Sequence, residues 1–241
     1  MAAYTLLRAV DDGAYANLEL PRILTRQRVA GRDAAFATEL AFGTVRWSGL
    51  YDRFIELAAN RPIDRLDPGV RDTLRLGAHQ LFGMRVPDHA AADQSVALAR
   101  QVNGAGAAGL VNAVMRRLSE RSRADWVAEV VPADADATTA TAIEQSHPLW
   151  VARALRQALI GHGRATTATA DTELAALLAC DNDPPSVALV ARPGLTTVAD
   201  LIEAGGVPSP VSPIGVRLPG GLPGDIAEVR DGRAAVQDEG S

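Results

Sequence analysis

The sequence predicts a mainly α protein, a helical bundle followed by a small α+β subdomain. Two observations carry this. Apolar residues recur three or four apart through the first 122 positions, the spacing of a one-sided helix. Beyond about 180, short apolar runs bounded by Pro and Gly replace that spacing, as strands require. A chain of 241 residues, 47% of them hydrophobic, is long enough to bury two cores of ordinary size.

Taken in order, the stretch from Gly31 to Asn60 spaces Phe36, Leu40, Trp47, Leu50, Phe54 and Leu57 along one stripe per helix, with a break or close packing expected at Gly43 and Gly49. In "LDPGVRDTLRLGAHQLFG" Asp67 is a good N-cap. Pro68 then occupies the first helical position, where its missing N–H costs nothing. Val70, Leu74, Ala78 and Leu81 are expected to face the core. A further helix begins near "PDHAAADQSVALARQV", and "AAGLVNAVMRRLSER" repeats Leu110, Val114 and Leu118 every fourth residue. Six or seven short helices over residues 1–122 make a compact bundle.

Residues 123–145, with "PADADATTATA", are small, acidic and poor in large apolar side chains, and read as a linker. Residues 146–241 form the α+β part. "SHPLWVARALRQALIG" restarts a helix with Ser146 or His147 as cap, and "TELAALLACDN" forms another. "PPSVALVARPG" is a strand, "TTVADLIEAGG" a short helix with a Gly stop, and "IGVRLP" and "IAEVRDGRAAVQD" are strands around a turn at Asp231-Gly232. The final "AAVQDEGS" reads as the approach to a further structural element.

The net charge of -5 conceals a division. Residues 1–125 hold 17 Arg against 14 acidic residues, a net +3; residues 126–241 hold 7 Arg against 15, a net -8. All 24 basic residues are Arg, a uniformity that an Ala-rich genome composition explains, although the planar fork of Arg suits phosphate. One cysteine, Cys180, forms neither an internal disulfide nor a multi-cysteine metal site, and the four histidines are far apart. No metal is expected. No apolar run is long enough for a membrane span and no signal peptide leads the chain, so no membrane partner is expected and a cytoplasmic location is.

Among candidate motifs, "GAGAAG" from Gly104 to Gly109 satisfies G-x-G-x-x-G, but a helical pattern precedes it where a dinucleotide site needs a strand. It reads as a flexible turn between helices. Arg123, with Asn112 and Glu120, lies off the Leu110/Val114/Leu118 stripe, and so do Arg116, Arg117 and Arg121. With Arg8, Arg26, Arg28 and Arg32 they are the candidate phosphate-binding residues for RNA, against the plainer reading of a solvated charged face. Arg71, Arg75 and His79, spaced i, i+4, i+8, are placed on the face away from the core, where ion pairing with Asp72 is at least as good an explanation as RNA contact. Trp47 and Trp150 are read as packing residues, and Cys180 as a buried helix-end residue. No catalytic constellation stands out.

"RAVDDGAYANLEL", "DAAFATELAFGTVRWSGLYDRFI", "LDPGVRDTLRLGAHQLFGMRVPDHAAADQSVALAR" and "GLVNAVMRRL" resemble the successive helices of the NusB-like RNA-binding domain, as it occurs at the front of Sun-type 16S rRNA cytosine-C5 methyltransferases. "SHPLW" is similar to that family's signature at the start of the next region, and "VQDEGS" to the stretch leading into its catalytic domain. The resemblance implies an rRNA partner of the small subunit. For the full-length enzyme it implies S-adenosylmethionine and two cysteines: one attacks C6 of a cytosine, the methyl group passes to C5, and the second cysteine releases the product. Cys180 matches neither cysteine motif, so this chain is expected to carry no catalytic residue and no cofactor site. "VALVARPG" also stands where many members have an Arg-Val-Asn strand, which removes support for any role of that Asn. The competing reading is a non-enzymatic NusB-like factor in transcription antitermination or ribosome assembly.

Overall fold

The computed structural model describes residues 1–84, 86–220 and 223–237. The chain divides into two compact units, Met1–Asn182 and Asp183–Ser241. The first is helical throughout: α1 (Ala2–Asp11), α2 (Ala16–Arg26), α3 (Gly31–Ala59), α4 (Pro68–Phe82), α5 (Asp88–Asn103), α6 (Ala105–Ser119), α7 (Arg123–Val130), α8 (Ala137–Glu144), α9 (Leu149–Gly161) and α10 (Ala170–Asp181).

Helix α4 starts as its sequence dictates. The Asp67 carboxylate accepts from the backbone N–H groups of Gly69 and Val70, and Pro68 leads the first turn. The main core joins Leu50, Tyr51, Phe54 and Ile55 of α3 with Val70 and Leu74 of α4, Val111, Val114, Met115 and Leu118 of α6, and Trp126 of α7. Phe54 meets Phe82 edge to face, with ring centroids 5.5 Å apart at 81°. A second cluster gathers Leu6 and Leu7 of α1, Leu20 and Ile23 of α2, Ala41 of α3 and Leu76 of α4.

One open expectation is decided and two change. Helix α3 runs unbroken for 29 residues through Gly43 and Gly49. These glycines are places of close approach: a Cβ at Gly43 would overlap the His79 ring, and one at Gly49 would lie 3.3 Å from Ser146 Oγ. The stretch 123–145 holds two capped helices in place of a linker. Ser122 and Asp125 form a reciprocal capping box at α7, and the Asp136 carboxylate accepts from Thr139 N–H at α8. What holds them is burial: Trp126 sits in the core with its indole N–H donating to the Leu118 carbonyl at 3.0 Å, and Ile143 joins the same core. Finally, α9 and α10 pack against α8 around Ala142, Ala152, Leu174 and Leu178, so residues 146–182 belong to the helical unit, not to the α+β part.

The second unit is a four-stranded antiparallel sheet in the order β2-β3-β1-β4: β1 (Val187–Ala191), β2 (Val207–Pro208), β3 (Gly215–Leu218) and β4 (Ala234–Val236). Leu189 pairs with Val216 on one side and Val236 on the other. Leu189 and Ala191 alternate inward with Val216, Leu218 and Ala234, and Leu201 of α11 (Val198–Glu203) completes the core. Pro208 is tolerated because β2 is an edge. The first strand expected in "IAEVRDGRAAVQD" is instead a short helix, α12 (Ala227–Arg230), preceding β4. Ile226 and Val229, three residues apart, both reach the core, which a period of two would forbid. The end of "VQDEGS", from Asp238 on, lies outside the described residues.

Candidate nucleic-acid interface

The seven candidate arginines do not converge on one surface. Arg26, Arg28 and Arg32 are exposed around the corner from α2 into α3, with Arg28 in the left-handed region at φ 56°. None of the three has a carboxylate partner among the described residues. Arg117 lies at the other end of α3, where its guanidinium donates to the Ala58 carbonyl at 2.7 Å. At 1.5 Å rise per residue, Arg32 and Ala58 are about 39 Å apart along α3. Arg116 is exposed; Arg121 pairs with Glu129 at 2.9 Å and rests over the Trp126 ring at 5.3 Å.

Arg8 is drawn into a structural network. Asp72 of α4, whose side chain is 0% exposed, accepts from Arg8 at 2.9 Å and Arg75 at 3.2 Å and lies 3.5 Å from Arg71. Arg75 also makes a two-pronged contact with Asp52 of α3, both at 2.7 Å, and Arg71 pairs with Asp11. The hydrogen bond to Asp72 raises the Arg8 pKa. Hence Arg71 and Arg75 face α1 and α3 rather than open solvent, and their ion-pair reading is the one the geometry supports. His79, expected away from the core, is 2% exposed. Its Nδ1 lies 3.0 Å from the Tyr51 hydroxyl and its buried Nε2 has no hydrogen-bond partner. Burial, reinforced by Arg46 and opposed by Glu39, lowers its pKa to about 4, so the Glu39 carboxylate 3.9 Å away faces a neutral ring at pH 7.

A different cluster is assembled where "SHPLW" meets α3. Ser146 adopts a left-handed φ of 59°, and its Oγ accepts from Leu50 N–H at 3.1 Å, close to where Gly49 leaves room. Pro148 then precedes the first turn of α9, in the cap position expected of Ser146 or His147. The cleft so formed, about 410 Å³, is lined by Arg46, Ser48, Gly49 and Arg53 of α3 and by Ser146, His147, Pro148 and Leu149, among others, with no carboxylate in its lining. Neither Arg46 nor Arg53 has a carboxylate partner among the described residues. The His147 Nδ1–H donates to the Gln145 carbonyl at 2.6 Å, and its Nε2 is 3.8 Å from Asp181. Beside these, Arg123 stacks over Trp47, 4.6 Å from the ring centroid, and reaches the Glu144 carbonyl at 3.4 Å. The residue after Leu149 is Trp150, which is 74% exposed and not a packing residue.

Sequence reasoning passed over Arg46 and Arg53, whereas Arg123 was among the off-stripe guanidiniums it grouped with Arg116, Arg117 and Arg121. The available signal was two arginines seven apart on one long helix with a glycine between them, which becomes a cleft only once Ser146 is seen to land there. Cys180 is exposed, contrary to expectation. "GAGAAG" is not a loop either: Gly104 caps α6 and the rest lies within its first turns, directly after α5. The S-adenosylmethionine implied for the full-length enzyme therefore finds no strand-loop-helix cradle in this run, and no metal-ligating cluster occurs among the described residues. No described helix is long and apolar enough to cross a membrane.

The model of the NusB family matches residues 1–120, the stretch that folds as α1 to α6. The first half of this chain belongs to the NusB family. Over its whole length the chain is 45% identical to a Mycobacterium tuberculosis protein described as a putative methyltransferase, covering 51% of that protein. Ribosomal RNA small subunit methyltransferase B of Pseudomonas putida is 35% identical over 157 residues, or 65% of this chain and 34% of that enzyme. The chain thus spans about half the length, or less, of these relatives. The crystal structure of PH0851 shares the fold, with a TM-score of 0.67 over 98% of this chain and 52% of that one, at 12% identity.

Proposed function

We propose that this chain is the RNA-binding, substrate-recognition region of an S-adenosylmethionine-dependent rRNA methyltransferase acting on cytosine C5 of the small-subunit RNA in the cytoplasm. The observation that carries the reading is the joint match: a NusB-family domain over residues 1–120, within a chain aligned along its whole length with a putative methyltransferase. Methyl transfer, with its cofactor and its nucleophile, is assigned to sequence outside these 241 residues. Cys180, at the end of α10, matches neither cysteine motif of the resembled family and is not assigned as the nucleophile.

Within this division of labour the helical unit holds RNA through guanidinium contacts with phosphate, which supply affinity without sequence choice. The test pairs two titrations of this chain, one with a fluorescent small-subunit rRNA fragment and one with S-adenosylmethionine followed calorimetrically. Salt-sensitive RNA binding with no cofactor heat is the expected result. Stoichiometric cofactor binding would overturn the assignment of chemistry to other sequence. A non-enzymatic NusB-like factor accounts for α1 to α6 equally well but leaves the whole-length alignment with a methyltransferase, sheet unit included, without a reason.

A further inference from the structure

We infer that the cleft between the middle of α3 and residues Ser146–Leu149 is a phosphate-binding site for single-stranded RNA, with Arg46 and Arg53 gripping the backbone and Trp150 stacking a neighbouring base. The inference rests on the RNA-binding reading above and assigns to it a surface outside the seven candidate arginines.

Four features converge. First, Arg46 and Arg53 stand two turns apart on one face of α3, about 10.5 Å along the axis, with the side-chain-free Gly49 between them. Ser146 packs into the space that Gly49 leaves, 3.3 Å from where a Cβ would stand, so the two guanidinium-bearing positions flank the Ser146 turn in the lining of one cleft. Second, Arg8, Arg71 and Arg75 are spent on Asp72, Asp11 and Asp52, whereas these two carry charge without a carboxylate partner among the described residues into a cleft whose lining holds no acid. Repulsion between two unpaired cations is a cost in the free protein that an anion removes. Third, the wall opposite α3 offers the Ser146 hydroxyl as a donor. Ser146 Oγ accepts from Leu50 N–H, so its own proton is free to donate, and a left-handed backbone at a non-glycine residue holds it there. Fourth, Trp150, 74% exposed, follows the lining residue Leu149, and Trp47 already carries the Arg123 guanidinium beside the cleft. An exposed indole next to paired cations fits a base and its phosphate; an acidic peptide would use the cations alone.

The acidic groups near this part of the fold lie outside the cleft lining, Glu39 among them, which meets the His79 ring at 3.9 Å. Asp181 approaches His147 Nε2 at 3.8 Å from the α10 side, and Glu144 offers its backbone carbonyl to Arg123. Neither is among the residues that line the cleft.

The experiment measures binding of the intact chain to a short, unstructured fluorescent oligoribonucleotide by anisotropy over a salt series. The variants are the Arg46→Ala/Arg53→Ala pair, Trp150→Ala, and the Arg26→Ala/Arg28→Ala/Arg32→Ala set as a comparison surface. Circular dichroism confirms that each is folded. The expected result is a loss of about tenfold or more in the paired variant, with a log affinity against log salt slope shallower by about 1.4, since each phosphate contact on a single strand contributes about 0.7. Trp150→Ala is expected to lose about tenfold with the slope unchanged. Arg46→Lys/Arg53→Lys, which keeps the charges, should recover most of the slope. If the wild-type chain binds RNA and the folded paired variant binds it equally well, the cleft assignment falls while the RNA-binding reading stands. If the wild-type chain does not bind RNA at all, that reading falls and takes this inference with it. Displacement of the RNA by polyglutamate at matched charge concentration would also overturn the inference, in favour of an acidic protein partner.

Discussion

Asp72 is the residue on which the helical unit's electrostatics turn. A carboxylate with no solvent exposure accepts from Arg8 of α1 and Arg75 of α4, with Arg71 beside it. Removing it leaves guanidiniums crowded together without compensation. Asp72→Ala is expected to destabilise the helical unit by about 3 kcal/mol or more, read from the urea midpoint. Arg8→Ala should also cost stability, which separates its role from that of exposed Arg26. A second expectation concerns pH. His79 in the folded protein has its pKa lowered to about 4 by burial, against 6.5 for an unperturbed ring. The unfolded chain therefore takes up this proton first, so the stability contributed is fully present above about pH 6.5 and is lost as the pH falls towards 4. The loss is about 3 kcal/mol at most. Denaturation curves between pH 5 and 7 should show this slope in the wild type and a flatter one in His79→Gln. An equal slope in both would assign the pH dependence to other groups.

Helix α3 shows why spacing alone does not decide between a break and close packing at a glycine. The two interior glycines of this 29-residue helix, Gly43 and Gly49, carry a propensity cost of about 1 kcal/mol each relative to Ala, yet the helix does not break, because both positions admit another part of the fold. At Gly43 the admitted group is the His79 ring. Gly43→Ala should lower stability by about 2 kcal/mol or more in a thermal melt, although Ala is the better helix former. A neutral or stabilising effect would show that the ring can move aside. Arg117 makes a comparable point at the other end of α3: its hydrogen bond to the Ala58 carbonyl satisfies a group in the last turn, so Arg117→Ala is expected to cost about 1 kcal/mol whatever it does to RNA binding. Comparing it with Arg116→Ala, which breaks no such bond, separates the two effects. The stretch 123–145 was illegible for a related reason. Its Ala, Thr and Asp residues carry little apolar volume, and two buried side chains, Trp126 and Ile143, turn them into packed helices.

At the scale of the whole molecule, the sheet unit has a core of its own. Leu189, Leu201, Val216 and Leu218 bury one another within residues 183–237, while the other three clusters lie within residues 1–182. Cleavage by a nonspecific protease near Asp183–Ser186 should accordingly release a helical piece that retains its circular dichroism and unfolds cooperatively. Loss of helical signal on that cleavage would place the two units in one cooperative block. Salt-dependent RNA binding, if it resides where Arg46, Arg53 and Arg26 to Arg32 are found, should survive in that piece.

The sequence by itself determined what depends on neighbours along the chain: the cap at Asp67, the four-residue apolar repeat of α6, the strand at Val187–Ala191 and the order of segments that marks the NusB-like front. These are set by local hydrogen bonds and by periodicity, which a linear reading contains. Only the tertiary structure decided which arginines are free. Charge is visible in the sequence, but whether a guanidinium is compensated depends on carboxylates tens of residues away, as Arg8 and Asp72 are. The same holds for "SHPLW". Its quoted letters foretold a helix start, whereas its use is settled 96 residues upstream, where the Ser146 hydroxyl meets the Leu50 N–H and closes a cleft over two unpaired cations.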